Sequence, residues 1–425
     1  MGTMGEIKFS ADYVNRIKPI IKKLIPLRVL RTVKKIVSIR TNRRILTEKI
    51  MPYEKGIFPS GINLIGPIDN ATGLGQSLRL IEKVVQHIDI PYSVSSYDRN
   101  KQNLALKDNY RNKVCDKLYY DINLWHVNPS EFTDMYLYFG KYSFDKRYNI
   151  AFWLWELEDF PDEWIPLMHL LDEIWTPSEY ISKSIRKKTE KPVYTIPYCI
   201  SAEIDLKLYG RAYFGLKEKQ FLFLMMYDAK SIQERKNPEG AVEAFKKAFP
   251  QEQMNVGLVI KINSASSKEL SLIRKRFEGY KNVYLLNKEL DKIQVNSLIA
   301  SADVFVSLHR AEGFGLVLAE AMINHIPVIA TNWSANIEFM NTETSCLVGY
   351  KMKTLKKDIY PYKKGNRWAE PDIEEASGYM KRLFMDKNYY KKIAEGGCKY
   401  VHEKLGMKRI QRMMEKHLYD IWESD

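Results

Sequence analysis

From about residue 60 onward, short apolar runs alternate with stretches in which apolar residues return every three or four positions. Apolar runs of four to eight residues bounded by turn residues read as strands buried on both faces, and the 3.6-residue period between them reads as helix. This predicts a first series of strands at 62–66, 92–97, 122–127, 150–155, 173–177 and 193–197. A second series follows at 221–226, 256–262, 283–286, 304–308 and 328–331. Residues 199–215 lack a clean period and read as the connection between the two series. After residue 350 comes a Lys- and Tyr-rich loop, then helices from about 372 to the end. Strands alternating with helices build parallel sheets, so the expected fold class is α/β with two doubly wound halves facing a cleft and a C-terminal helical segment.

The first 55 residues follow a different pattern. Val29, Leu30, Val33, Ile36 and Val37 recur at helical spacing, with Arg28, Arg31, Lys34 and Lys35 largely on the other side, after a shorter piece broken by Pro19 and Pro26. This is a basic amphipathic helix. It also accounts for the charge of the chain. The 425 residues carry 66 Lys and Arg against 52 Asp and Glu, a net +14, and twelve of those cations with a single acid, Glu48, fall in residues 16–49. That segment is +11 and the rest nearly balanced, which argues against a nucleic-acid-binding body and for contact with an anionic membrane surface, or packing on the protein's own surface. No run approaches the roughly 20 uncharged apolar residues of a membrane span. Cys115, Cys199, Cys346 and Cys398 are widely spaced without a C-x-x-C pair, which fits a reducing, cytoplasmic setting and no Cys-based zinc site.

The sharpest chemical signal lies at 302–322. A predicted strand runs through His309-Arg310-Ala311 into Glu312-Gly313-Phe314-Gly315-Leu316 and a helix that holds Glu320. Glycines let backbone approach a ligand, and amides at a helix start face anions or hydroxyls. A ligand the length of a nucleotide sugar would engage both carboxylates, Glu312 on a sugar hydroxyl and Glu320 on a ribose diol. A second glycine turn, Thr72-Gly73-Leu74-Gly75-Gln76-Ser77, follows the 62–66 strand. Leu78 stands where a dinucleotide fingerprint wants a third glycine, which counts against a nicotinamide cofactor. After the 221–226 strand, Arg235 and Lys236 open a helix, where two cations can neutralise a diphosphate. His126 ends the 122–127 strand. The segment Trp153-Leu154-Trp155-Glu156 offers aromatic faces and carboxylates suited to a sugar-binding wall, or an aromatic core with solvated acids.

The run from Glu312 to Glu320 resembles the E-x7-E signature of the retaining glycosyltransferases of family 4, which have the GT-B fold of two Rossmann-like domains. Trp155-Glu156-Leu157-Glu158 resembles the W-E-L-E segment of a subgroup that builds bacterial surface polysaccharides. Thr331–Glu338, with Asn336, and Trp368-Ala369-Glu370-Pro371 match the same subgroup, Ala335 standing where glycine is commoner. The resemblance implies a basic extension at 1–55, an acceptor domain at 56–203, a donor domain at 204–400 and a C-terminal helix at 401–425 that packs back on the acceptor domain. It implies sugar transfer from a nucleoside-diphosphate-sugar to a glycan or lipid-linked glycan, without cofactor or metal; the basic segment would bring the protein to the inner face of the cytoplasmic membrane. A homo-oligomer remains open. Glu312, His126, Arg235 and Lys236 are the implied catalytic residues. Substrate binding would fall to Gly73, Gly75, Gly313, Phe314, Gly315, Leu316, Glu320, Asn336, Trp155 and Glu156. Members often carry an Arg directly after the strand where this chain has Met226-Tyr227-Asp228, which leaves open whether Arg235, Lys236 or Lys230 leads. Rival readings on the same fold are a sugar-nucleotide epimerase, a phosphorylase and a catalytically silent nucleotide-sugar-binding subunit.

Overall fold

The computed structural model of the chain describes residue 40 and residues 45–70, 72–97, 117–229 and 231–423. The predicted amphipathic helix and Lys230 lie outside the described residues, as does most of the basic segment 16–49.

Six strands, β1 (Ile62–Gly66), β2 (Tyr92–Ser96), β3 (Ile122–Trp125), β4 (Tyr148–Phe152), β5 (Glu173–Thr176) and β6 (Val193–Thr195), form one sheet in the order β2-β1-β3-β4-β5-β6. Six more, β7 (Phe221–Asp228), β8 (Val256–Asn263), β9 (Val283–Leu286), β10 (Val304–Ser307), β11 (Val328–Thr331) and β12 (Cys346–Val348), form a second in the order β12-β11-β10-β7-β8-β9. Every pairing in both sheets is parallel. Helices cover both faces of such sheets, which is why the apolar run Ile62–Gly66 is buried along its whole length.

Four helices matter for the site: α1 (Gly73–Val85), α2 (Pro129–Phe139), α3 (Glu179–Arg186) and α4 (Gln233–Lys236). In chain order they are followed by α5 (Pro238–Ala248), α6 (Ser267–Arg276), α7 (Lys292–Ala300), α8 (Leu316–Ile323), α9 (Ile373–Met385), α10 (Lys387–Leu405) and α11 (Met407–Glu423). Ile410, Met414, Leu418 and Ile421 make one buried stripe on α11 at helical spacing. The helix lies on the first half of the chain: Gln411 Nε2 donates to the His87 carbonyl at 2.7 Å, and Trp422 Nε1 donates to Asp121 Oδ2 at 2.9 Å.

Three elements depart most from the sequence expectation. The sequence predicts no strand at β12, whose three residues are too short a run to stand out. The strand expected at 150–155 runs over Tyr148–Phe152, and Trp153, Trp155, Leu157 and Phe160 leave the sheet to form an aromatic cluster with Trp164. Burial makes both segments apolar, so composition does not separate them. The Lys- and Tyr-rich loop contains an antiparallel hairpin, β13 (Tyr350–Thr354) and β14 (Arg367–Pro371). Four of the five β13 residues are exposed, so no apolar alternation marks it.

In each sheet the chain reverses direction around the first strand. β1 lies between β2 and β3, and β7 lies between β10 and β8. Ligands of open α/β sheets bind outside the carboxyl ends of the strands at such points. Here those positions are residues 67–70 and 126–128 in the first half, and residues 231–232 and 308–315 in the second.

Candidate active site

The second half concentrates charge at its reversal point. Arg235 and Lys236 lie on the short α4, reached from β7, while Glu312 lies on the turn between β10 and α8. Lys236 Nζ pairs with Glu312 Oε1, and Arg235 Nη1 lies 3.3 Å from Glu312 Oε2. Arg235 Nη1 also donates to the Ala311 carbonyl at 2.9 Å, and its Nη2 lies 3.6 Å from Glu156 of the first half. Burial alone would raise the Glu312 carboxyl. Lys236 and Arg235, with a smaller contribution from His309, outweigh it and hold the group at about 2. Glu312 is therefore a permanent anion near neutral pH, an acceptor of hydrogen bonds and not an acid. Arg235 is raised above its ordinary value: burial opposes its charge, but Tyr362, Glu156 and Glu312 together overcome it.

The glycines of this turn have separate tasks. Gly315 takes φ +94°, a left-handed conformation, just before α8. At Gly313 a Cβ would lie 2.8 Å from the Trp155 carbonyl oxygen, so its missing side chain admits the other half of the protein. Ser178 Oγ donates to the Gly313 carbonyl at 2.8 Å across the same seam. Phe314 turns its ring inward, 4.8 Å from the Tyr198 ring and 5.2 Å from Phe339, and Leu316 is half-buried at the first turn of α8. Phe314 can offer a ligand backbone only.

Glu320 is 2% exposed and pairs with Lys292 at the start of α7, apart from the Glu312 cluster. Asn336 is fully buried. Its Oδ1 faces His309 Nε2 at 3.0 Å and its Nδ2 donates to the Thr331 carbonyl at 3.0 Å, so it orders the loop behind Glu312. Glu370 grips Arg310, next to that loop, through Arg310 Nε at 2.9 Å and Nη2 at 2.5 Å, which ties the Trp368–Pro371 segment to the turn.

In the first half, Thr72 caps α1 by accepting from the Gly75 amide at 3.2 Å. A Cβ on Gly75 would run into the carbonyl oxygens of Asn70 and Pro67, whereas Gly73 has open space at its Cβ position. His126 does not reach the crevice surface. It is 0% exposed, stacked on Phe152 at 4.8 Å, with Nε2 2.7 Å from Ser77 Oγ, which in turn donates to the Tyr198 hydroxyl. Burial pushes its imidazole down to about 3. The sequence placed a donor at the cleft here; the structure places a neutral ring beneath α1. Trp155 is likewise 2% exposed, its Nε1 given to the Asp159 carbonyl at 2.9 Å and its ring edge-on to Trp164 at 5.2 Å. Packing uses its faces, so stacking on a pyranose falls to other rings. Glu156 accepts from the Tyr362 hydroxyl at 3.0 Å.

Sequence reasoning missed Tyr362, Ser178, Glu338, Lys292 and His309. Glu338 accepts from the Glu179 and Tyr180 amides at 2.9 and 2.8 Å, capping α3 of the other half. Tyr362, Glu338 and Lys292 carry no local signal, because their partners lie 28 to 206 positions away. Among the described residues, no cluster of three or more His, Cys, Asp or Glu is arranged to hold a metal ion, and no helix is long and apolar enough to cross a membrane.

Two parallel six-stranded sheets whose reversal points face one crevice, with a helical C-terminal segment, make the GT-B fold. Residues 211–399 match the family model of glycosyl transferases group 1. Among solved structures, the chain is similar to HepE of Anabaena in complex with UDP-glucose, at 12% identity and a TM-score of 0.61 over 85% of this chain and 99% of that one. It is similar to sucrose-phosphate synthase from Thermosynechococcus elongatus, at 14% identity and a TM-score of 0.62 over 85% and 99%. It is also similar to a glycosyltransferase from Rickettsia africae, at 14% identity and a TM-score of 0.58 over 87% and 100%. At such identities the likeness is one of fold. No curated protein sequence matches the chain.

Proposed function

We propose that this chain is a retaining glycosyltransferase that moves a sugar from a nucleoside-diphosphate-sugar to a hydroxyl of a glycan or lipid-linked glycan. The observation that carries the reading is the Lys236–Glu312–Arg235 cluster at the reversal point of the second sheet, inside the stretch that matches glycosyl transferases group 1. The anionic Glu312 accepts a hydroxyl of the donor sugar. Lys236, only partly buried, turns from Glu312 to the diphosphate as it leaves, and electrostatic stabilisation of that charge lowers the barrier. Glu320 takes the ribose diol, with Lys292 fixing its carboxylate. The amides before α8 and that of Gly73 face the diphosphate and sugar across the crevice, while the Gly75 amide stays with the Thr72 cap. His126 acts as a positioning residue, holding Ser77 and with it the first turn of α1.

Glu312 is already committed to two cations, which suits a front-face course better than a covalent one. The bond from the anomeric carbon to the leaving phosphate breaks as the acceptor oxygen bonds on the same face. The acceptor proton passes to the leaving phosphate oxygen, so no side chain need act as base. The segment 16–49 brings the crevice to an anionic membrane surface.

A thermal-shift screen of nucleotide sugars against the full chain tests the reading. The matching donor, at about 100 times its dissociation constant, should stabilise the protein by about 2.7 kcal/mol. Absence of any shift across uridine, guanosine, adenosine and thymidine diphosphate sugars would overturn it.

A further inference from the structure

Outside residues 16–49 the positive charge is concentrated in one place. Residues 351–367, which hold most of β13, the turn after it and the start of β14, carry seven Lys and Arg against one acid, Asp358, a net +6. The chain outside these two segments is slightly acidic.

Three of the seven cations are paired: Lys353 with Glu370 at 2.9 Å, Lys363 with Glu163 at 3.0 Å and Arg367 with Glu158 at 3.1 Å. Lys351, Lys356, Lys357 and Lys364 are exposed, and no carboxylate among the described residues pairs with them. Lysines on an exposed edge strand guard it against pairing with another chain, which accounts for Lys351 and Lys353. Lys356, Lys357 and Lys364 lie in the turn beyond the strand, where no edge needs guarding. They flank Tyr360, which is 77% exposed. The inner side of the same turn is fixed: Leu355, Ile359 and Tyr362 pack into the aromatic cluster of the first half. The lysines are therefore carried outward on a seated platform.

The hairpin stands at the crevice. Glu156, which accepts from Tyr362, follows the carboxyl end of β4, and Arg310, gripped by Glu370, follows that of β10. The segment 16–49 meets the folded body at the other end of the first sheet. The His169 ring bonds the Glu48 carbonyl ahead of β5, the Lys146 amide donates to the Met51 carbonyl ahead of β4, and the Tyr53 hydroxyl donates to Asp121 ahead of β3. Those are the amino ends of the strands. The segment can bring the protein to a surface without fixing which way the crevice faces.

The residue types in the hairpin decide the partner. Arg reads single carboxylates and phosphates through its bidentate fork, whereas Lys is a hydrated point charge on a flexible stem. Six of the seven cations here are Lys, and they spread along an open turn instead of converging on a pocket. That suits an extended anionic surface. An exposed tyrosine among them suits the headgroup level of a bilayer, where one end of the ring is apolar and the other wet.

We propose that the turn of the β13–β14 hairpin is a second membrane contact, which lies on the headgroups of an anionic bilayer and sets the crevice facing it. The assignment rests on the membrane reading above and goes further in giving the orientation to a surface of the second half. Once residues 16–49 hold the chain at the bilayer, this weaker contact forms at the effective concentration of a tethered site. Each lysine near the surface is then worth roughly fivefold in binding.

The test is sedimentation of the full chain with vesicles of mixed phosphatidylglycerol and phosphatidylcholine. The triple variant Lys356→Gln, Lys357→Gln, Lys364→Gln is compared with a control triple on α10, Lys387→Gln, Lys392→Gln, Lys399→Gln, which removes the same charge from exposed positions. The hairpin triple should bind about tenfold or more weakly than the control. A nitrobenzoxadiazole label on Tyr360→Cys should brighten on these vesicles and stay dim on pure phosphatidylcholine, while a label on Lys392→Cys stays dim on both. The wild-type chain, labelled alike, gives the background of its own cysteines, and thermal midpoints check that the variants fold. Equal weakening by both triples would reduce the effect to net charge and overturn the proposal. A hairpin triple that binds like wild type, or a label at 360 that does not brighten, overturns it too. Loss of binding to hyaluronate in the hairpin triple, with vesicle binding untouched, would assign the turn to an acidic glycan. A wild-type chain that binds no anionic vesicle removes the membrane reading and this proposal together. Binding that needs residues 1–39 and ignores the hairpin removes this proposal alone.

Discussion

Glu312, at the crevice, and His126, beneath α1, are both buried titratable groups, and they answer acid in different windows. The folded Glu312 carboxyl stands at about 2 against an ordinary 4.5, so its ion pairs stabilise the fold above 4.5 and are lost as pH falls towards 2. His126 stands at about 3 against an ordinary 6.5, so the unfolded chain takes up a proton that the folded one refuses. Stability therefore declines as pH falls from 6.5 towards 3. In His126→Phe that slope should be shallower, and the difference in thermal midpoint between wild type and variant should narrow as pH drops through this window. A constant difference would mean that the imidazole is not kept neutral. Lys236 makes a prediction on rate. Lys236→Met should slow transfer by about 10²–10³, the scale of losing one preorganised electrostatic partner, with a smaller change in donor KM. Turnover within twofold of wild type would place the diphosphate elsewhere.

Among the elements, α3 is the one whose start is completed by the other half of the chain. Ser178 caps it locally, accepting from the Ile181 amide at 3.4 Å, and Glu338 takes the Glu179 and Tyr180 amides. A carboxylate at a helix N-terminus satisfies orphan donors and meets the positive end of the helix dipole. Glu338→Ala should destabilise the protein by about 1–2 kcal/mol, the range of a lost cap, and Glu338→Gln by less. Differential scanning calorimetry measures this, and the drop should appear as a separation of the two halves' transitions because the lost contact spans the seam. The hairpin β13–β14 is a second bridge. Between its strands, Tyr362 enters the aromatic cluster of the first half, while Lys363 pairs with Glu163 at 3.0 Å and Arg367 with Glu158 at 3.1 Å. The last two pairs are exposed and contribute little each, so the buried tyrosine carries the contact.

For the molecule as a whole, the sheets set the crevice, and the proposal that the basic segment brings it to a membrane is testable by truncation. Ile45 is buried in the first-half core and the His169 ring bonds the Glu48 carbonyl at 2.9 Å, so residues from 45 onward belong to the folded body. A truncation that tests membrane contact should therefore remove residues 1–39 and spare these. The full chain should bind anionic vesicles and lose that binding as salt shortens the Debye length to about 3 Å near 1 M. The truncated chain should not bind, while its thermal midpoint stays close to that of the full chain. Equal sedimentation of both with vesicles would assign the segment to packing.

The sequence alone determined the alternation of buried strands with amphipathic helices, and three strand boundaries, Ile62–Gly66, Val283–Leu286 and Val328–Thr331, agree to the residue. Local physics decides these, because burial on both faces and turn residues are written in consecutive positions. It also singled out Glu312, Arg235 and Lys236, each after a strand at a turn that shows in the chain, and the structure brings the three into one cluster. Only the tertiary structure decided which side chains meet across the seam. It set His126 under Ser77, turned Trp155 edge-on to Trp164, and brought Tyr362 to Glu156 over 206 positions. Such contacts depend on how two separately folded sheets dock, and docking energy belongs to pairs distant in sequence that no periodicity records.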